Sequence, residues 1–291
     1  MKSFKKLPTI PNVSAGNGVT VTLPVGNTYE HVVLYYKGVT PKQLKNIRLE
    51  LNGRLISEYK DGERLQSMDK HYDRAQTDGA LTFHFNRPEL HVLGERRFFG
   101  LDTNKSQGII SAVIRIDVDK DAAAPELEAF AEVVQSVPGA PNFLTKVRNY
   151  YVPVSSQGTF EIDNINMPAG ATIAAFHLYM PIPDAKKDEA GARCPITKAE
   201  LLTDNTNWHD IDAIKAANRQ ASNGRVPQIK DSTVIDLIQD GDIRNALVFE
   251  TIVNGKVVGK IQDMRLRCEA DSTGQVAVAV EYIDKWTLGG F

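Results

Sequence analysis

Apolar residues recur at every second position along much of this chain. Val19, Val21 and Leu23 alternate with polar neighbours, and so do Val32, Leu34 and Tyr36, then Ile47, Leu49 and Leu51, then Leu81, Phe83 and Phe85. A period of two puts one set of side chains on each face of an extended chain, so these segments predict half-buried antiparallel strands. The longest run, IISAVIRIDVD, places Ile110, Ala112, Ile114, Ile116 and Val118 on one face. Turn residues separate the runs: Pro24 with Gly26, Gly38 with Pro41, the hairpin pair Asn52 and Gly53, and Asp78 with Gly79. Helical spacing is confined to short pieces: Leu65, Met68 and Tyr72; Leu127, Phe130 and Val134 after Pro125; and Ile211, Ile214 and Ala217.

The pattern is written twice. TLPVGNTYEHVVLYY (Thr22 to Tyr36) returns as NMPAGATIAAFHLYM (Asn166 to Met180), with Leu23 and Met167 separated by 167 − 23 = 144 residues. Strand, corner, strand, helix and further strands follow in both halves, and GQVAVAVEYID closes the second as GIISAVIRIDVD closes the first, at an offset of 274 − 108 = 166. VPGAPNF (Val137 to Phe143) breaks both periods and is the expected linker. Each half has room for eight short strands, so the fold class is all-β: two tandem eight-stranded jelly rolls, residues 1–138 and 139–291, with short helices in the loops.

Composition narrows the function. The 291 residues are 42% hydrophobic and 24% charged with a formal net charge of −2, an ordinary globular balance without the cationic excess that nucleic-acid binding needs. The basic MKSFKK start is expected to be a frayed tail, or else an arm on an anionic surface or a neighbouring subunit. No apolar run has the length of a membrane span and no signal-peptide core opens the sequence, so the expected site of synthesis is the cytoplasm. Cys194 and Cys268 lack metal-binding spacing and are expected to be free thiols.

Catalytic signals are sparse. There is no GxSxG, HExxH or phosphate-loop motif; GKVVGKI at Gly255 has too short a glycine spacing and reads as a hairpin turning at Asn254 and Gly255. His84 and His177 fall inside strand patterns and read as sheet residues, not ligands. In DVDKD, Asp117, Asp119 and Asp121 alternate along a strand end, which would set three carboxylates on one side where they need water, a partner or a cation. An EF-hand is excluded because Ala122 stands where the loop needs glycine. A solvated strand end and a calcium site shared with another loop or subunit both remain open. Tyr35, Tyr36, Tyr150, Tyr151, Trp208 and Trp286 are the candidates for a sugar-binding platform, against packing in the core or an interface.

Longer phrases carry a resemblance. IPNVSAGNGVTVTLPVGNTYE, GVTPKQLKNIRLELNGRLISEYK, FHFNRPEL, IDVDKDAAAPEL, FLTKVRNYYVPV and EYIDKWTLGGF resemble the major capsid proteins of corticoviruses, membrane-containing icosahedral phages of marine bacteria. That resemblance covers nearly the whole chain and is loosest between about Pro181 and Val253. It implies a non-enzymatic coat protein of the virion: a homotrimer whose six sandwiches make a pseudo-hexameric tile, with a separate vertex (penton) protein, an inner membrane, no direct nucleic-acid contact and a structural role for calcium. The rival expectation is a double jelly-roll carbohydrate-binding protein or glycan hydrolase.

Overall fold

The structure, a computed structural model, describes residues 2–136, 142–189, 191–204 and 206–286. The chain separates into two compact units. The described residues of the first come from Met1–Lys70, Arg74–Val147 and Asp284–Phe291, and those of the second from His71–Asp73 and Arg148–Ile283. Of the expected linker, residues 137–141 lie outside the described residues, as does the expected boundary at 138/139.

The first unit runs β1 (Lys2–Lys6), β2 (Gly18–Thr22), β3 (Thr28–Lys37), β4 (Leu44–Leu51), β5 (Arg54–Asp61), α1 (Gly62–His71), β6 (Ala80–His84), α2 (Leu93–Arg96), β7 (Leu101–Asp102), β8 (Ala112–Val118) and β9 (Glu126–Val134). One sheet has the order β1-β9-β3-β6, with β7 beside β3, and the other β2-β8-β4-β5. Between them lies a core of Val32, Leu34, Leu49, Leu51, Ile114, Ile116 and their neighbours. Burying each such side chain contributes about 1.5–3 kcal/mol against the entropy of ordering the strands. Asn52 and Gly53, with φ of 51° and 74°, make the expected two-residue hairpin.

The second unit runs β10 (Phe143–Val154, beginning in the first unit), β11 (Gly158–Ile162), β12 (Thr172–Tyr179), β13 (Ile196–Thr203), β14 (Thr206–Asp212), α3 (Ala213–Ser222), β15 (Thr233–Asp236), β16 (Leu247–Val248), β17 (Glu250–Val253), β18 (Lys256–Lys260), β19 (Met264–Ala270) and β20 (Gly274–Lys285). Its sheets are β10-β20-β12-β15, with β16 beside β12, and β11-β19-β13-β14; β17 and β18 pair only with each other. Strand for strand this is the order of the first unit.

The duplication extends to irregularities. In β3 a bulge leaves Glu30 unpaired between Tyr29 and His31, and in β12 a bulge leaves Ala174 unpaired between Ile173 and Ala175, 174 − 30 = 144 residues later. Leu49 and Glu50 pair with Ser57 and Leu55 across a bulge at Ile56; Leu201 and Leu202 pair with His209 and Asn207 across one at Trp208, and 208 − 56 = 152. A bulge flips the alternation of the strand that carries it, so its placement decides which face each later side chain meets.

Three expectations require correction. The segment with Leu127, Phe130 and Val134 is not a helix but β9, paired with β1 on one edge and β3 on the other. Its inward face is Leu127, Ala129, Ala131 and Val133, a period of two hidden by alanine's preference for helix, while Phe130 faces outward and stacks on Phe4 at 5.3 Å. Second, β20 is the counterpart of β9 and not of β8, with Leu34 facing Ala129 as Leu178 faces Val278, an offset of 278 − 129 = 149. The counterpart of β8 is β19, since Leu49 pairs Ile114 as Leu201 pairs Leu266. Third, Ile110 is 83% exposed: it precedes β8, where its N–H donates to Asn52 Oδ1 at 2.8 Å.

Candidate assembly surfaces

The three aspartates do not line one side of a strand. The chain leaves β8 after Val118 and turns, with the Asp121 N–H donating to Asp119 Oδ1 at 3.0 Å and the Ala122 N–H to the Asp119 carbonyl at 3.2 Å. Asp119 also pairs with the Lys45 ammonium, whose hydrogen bond holds the carboxyl below the usual carboxylate range and raises the lysine. Asp117 Oδ2 accepts from Asn46 Nδ2 at 2.9 Å. Among the described residues no group of three or more His, Cys, Asp or Glu side chains is placed to hold a metal ion. These carboxylates fasten the β8–β9 turn to the start of β4. Gly38 completes the corner: at φ 68° its ideal Cβ would lie 2.3 Å from the Ala124 carbonyl oxygen.

The basic start is an ordered edge strand and not a frayed tail. Lys2 meets Glu30 and Glu132, Lys6 meets Glu128, and Phe4 lies on Phe130, so opposed charge and an aromatic pair hold β1 on β9.

A repeated fastening that sequence reading missed follows each long helix. Asp61 Oδ1 caps α1 by accepting from the Arg64 N–H, and Asp212 Oδ1 caps α3 by accepting from the Lys215 N–H, both at 2.9 Å. Arginine follows each cap by the same interval, 74 − 61 = 225 − 212 = 13 residues, after a left-handed residue, Asp73 (54°) or Gly224 (77°). In the first unit Arg74 donates to Asp69 and Glu89, and Arg87 also donates to Glu89. In the second, Arg225 Nε donates to Asp236 Oδ2 at 2.8 Å and its Nη2 to the Ile238 carbonyl at 2.7 Å, while His71 Nε2 lies 3.2 Å from the same carboxylate. Burial alone would push both carboxyls up, but His71 with Arg225, and Arg74 with Arg87, outweigh it and hold Asp236 and Glu89 below the usual range. Asp-x12-Arg at a fixed offset of 151 was the signal available in the sequence.

His177, inside β12, is buried with Nε2 2.9 Å from Glu281, as expected of a sheet residue. Cys194 and Cys268 are free and buried. Tyr36 and Trp286 pack against the core of the first unit, and Tyr150 shares a hydrogen bond with Tyr282 at 3.0 Å. Trp208 is 63% exposed, while Ile56 at the equivalent bulge of the first unit is 1% exposed. It lies in an open groove of about 910 Å³ with Asp204, Asp240, Leu247, Val248 and Ile261. Two carboxylates in a groove are what a glycan hydrolase would require. Here Asp204 Oδ1 accepts the N–H groups of Gln262 and Asp263, and Asp240 accepts from the Asp242 N–H and the Asn245 amide, so both hold loops, while Asp236, also in the lining, is paired with Arg225.

Comparison with known proteins completes the picture. The family model for the viral coat protein P2 N-terminal domain matches residues 4–134, and that for the viral coat protein P2 C-terminal domain matches residues 144–286. "Major capsid protein P2" of Pseudoalteromonas phage PM2 is 35% identical over 297 residues, with 100% of both chains covered. Its crystal structure aligns at a TM-score of 0.86, 34% identity and 100% of both chains. The STIV MCP aligns at 0.68 with 10% identity over 98% of this chain and 97% of its own, which shows a shared fold. Two jelly rolls matched in order, bulge and cap, with their polar groups committed to fastening, define a structural viral coat protein of the double jelly-roll class. The chain belongs to the viral coat protein P2 family, a family of the virion capsid not known to be enzymatic.

Proposed function

We propose that the chain is the repeating tile of an icosahedral shell: a homotrimer whose six jelly rolls form a pseudo-hexamer, with a separate vertex protein at the fivefold positions and a membrane inside. The observation that supports this is the equivalence of the two halves down to the bulges at Glu30 and Ala174. Three chains each carrying two like domains approximate sixfold symmetry, which packs edge to edge while the true symmetry stays threefold. Solution mass across a concentration series, followed by electron microscopy, tests it. The expected species is three times 32.1 kDa, and a chain that stays monomeric at all concentrations overturns the reading. A calcium role for Asp117, Asp119 and Asp121 rests on the family resemblance alone, with another chain supplying the remaining oxygens. Chelation of assembled particles should then loosen them, and Asp119→Ala should reproduce the effect; particles indifferent to both exclude it.

A further inference from the structure

The β17–β18 hairpin is the one two-stranded sheet of the described residues, and every residue from Thr251 to Lys260 is exposed. Its turn, Asn254 and Gly255 with φ of 52° and 74°, forms locally without outside help. Ile252, Val253, Val257 and Val258 are 51–62% exposed. Ile252 and its cross-strand partner Val257 lie on one face, Val253 lies on the other, and Val258 is the extra residue of a bulge opposite Thr251 and Ile252. A hairpin alone is marginal in water, and apolar residues on both faces call for cover on both sides. The corresponding stretch of the first unit, between β6 and β8, holds α2 and β7 and no such hairpin.

A second exposed apolar set lies at the hairpin's own base. Val248 (51% exposed) precedes β17, Ile261 follows β18, and with Trp208 they line the open groove described above. Tip and base are both uncovered within one chain, and the coat protein family supplies many identical neighbours. Resting on the trimer reading, we propose that the hairpin tip of one copy seats in the Trp208–Val248 groove at the base of the next copy's hairpin, around the trimer's threefold axis. The contact is heterologous, tip onto base, and closes after three copies. Lys256 at the tip enters beside the carboxylates of Asp204 and Asp240, in a groove whose lining also holds Arg219 and Arg244, the latter paired with Asp242. Because, among the described residues, only the second unit carries the hairpin, three such contacts form and not six, which separates true threefold from apparent sixfold order.

The test uses the full chain. Val257→Asp should raise the concentration at which half the protein is trimeric by at least tenfold, measured by sedimentation, with the thermal transition of the subunit unchanged because the site is exposed. A second arm co-expresses a Val257→Cys chain with a Val248→Cys chain and oxidises the product. A covalent mixed dimer is expected, and the buried Cys194 and Cys268 stay silent. Trimers of normal strength in Val257→Asp together with no mixed dimer would overturn the hairpin assignment and leave the trimer standing. Val257→Asp trimers that form normally but fail to join into larger arrays would assign the hairpin to a lattice neighbour and overturn the threefold placement. A monomeric wild type would overturn the trimer reading beneath it.

Discussion

Asp236 is 4% exposed, and its charge is tolerated because Arg225 and His71 converge on one of its oxygens. Removing one member of a buried pair leaves the other uncompensated, so Arg225→Leu should cost about 3–5 kcal/mol, read as a loss of thermal and urea stability. The acid side of the stability curve follows from the same groups. Asp236 and Glu89 have folded pKa values below their unfolded ones, so their contribution is present above about pH 4 and is lost as pH falls below it. His84 acts earlier. Burial first, then Arg74 and His31, lower it to about 2, so the unfolded chain takes up a proton from about pH 6.5 downward that the folded chain refuses. The sign is a loss on acidification, about 2 kcal/mol by about pH 5. His84→Gln should flatten that slope in urea melts run from neutral pH to pH 5; an unchanged slope would place the protonation elsewhere.

Among elements, the two long helices offer matched experiments. Asp61→Ala and Asp212→Ala each remove one cap and should each cost about 1 kcal/mol, a shift of a few degrees in the melting temperature of the affected unit. Deleting residues 2–6 exposes the edge of β9 and should promote association by strand pairing, visible as light scattering on warming. Strands such as β3, β4 and β8 were legible in the sequence because one face is apolar and the other polar. The strand β9 was not, since its core face is largely alanine and Leu127 on that face, with Phe130 and Val134 on the other, falls into helical register. In α3 the helix was legible but its buried face was not: Ala216 and Gln220 point inward, while Ile214 is 49% exposed. The Asp117–Asp121 cluster was read as a straight alternation, but the Asp119 side chain bends the chain by accepting the Asp121 N–H, a local bond that periodicity does not register. The bulges at Ile56 and Trp208 were not legible either, since no pattern of residue types announces one.

At the scale of the molecule, the first unit is not completed by the first half of the gene. Lys146 is 1% exposed and its ammonium pairs with Asp284 at 2.6 Å, and the Trp286 indole N–H donates to the Gln107 carbonyl at 3.0 Å, so residues 284–286 are structural parts of the first jelly roll. A ribosome adding roughly 5–20 residues per second needs roughly 7–30 s to travel from Val134 to Asp284, and through that interval the Asp284 carboxylate does not yet exist. A nascent chain stalled at residue 200 should therefore remain protease-sensitive throughout, while one carrying residues 284–286 beyond the exit tunnel becomes resistant in both units. Translation itself thus acts as a timer: a coat subunit cannot present one finished half for premature association while the other is still being made.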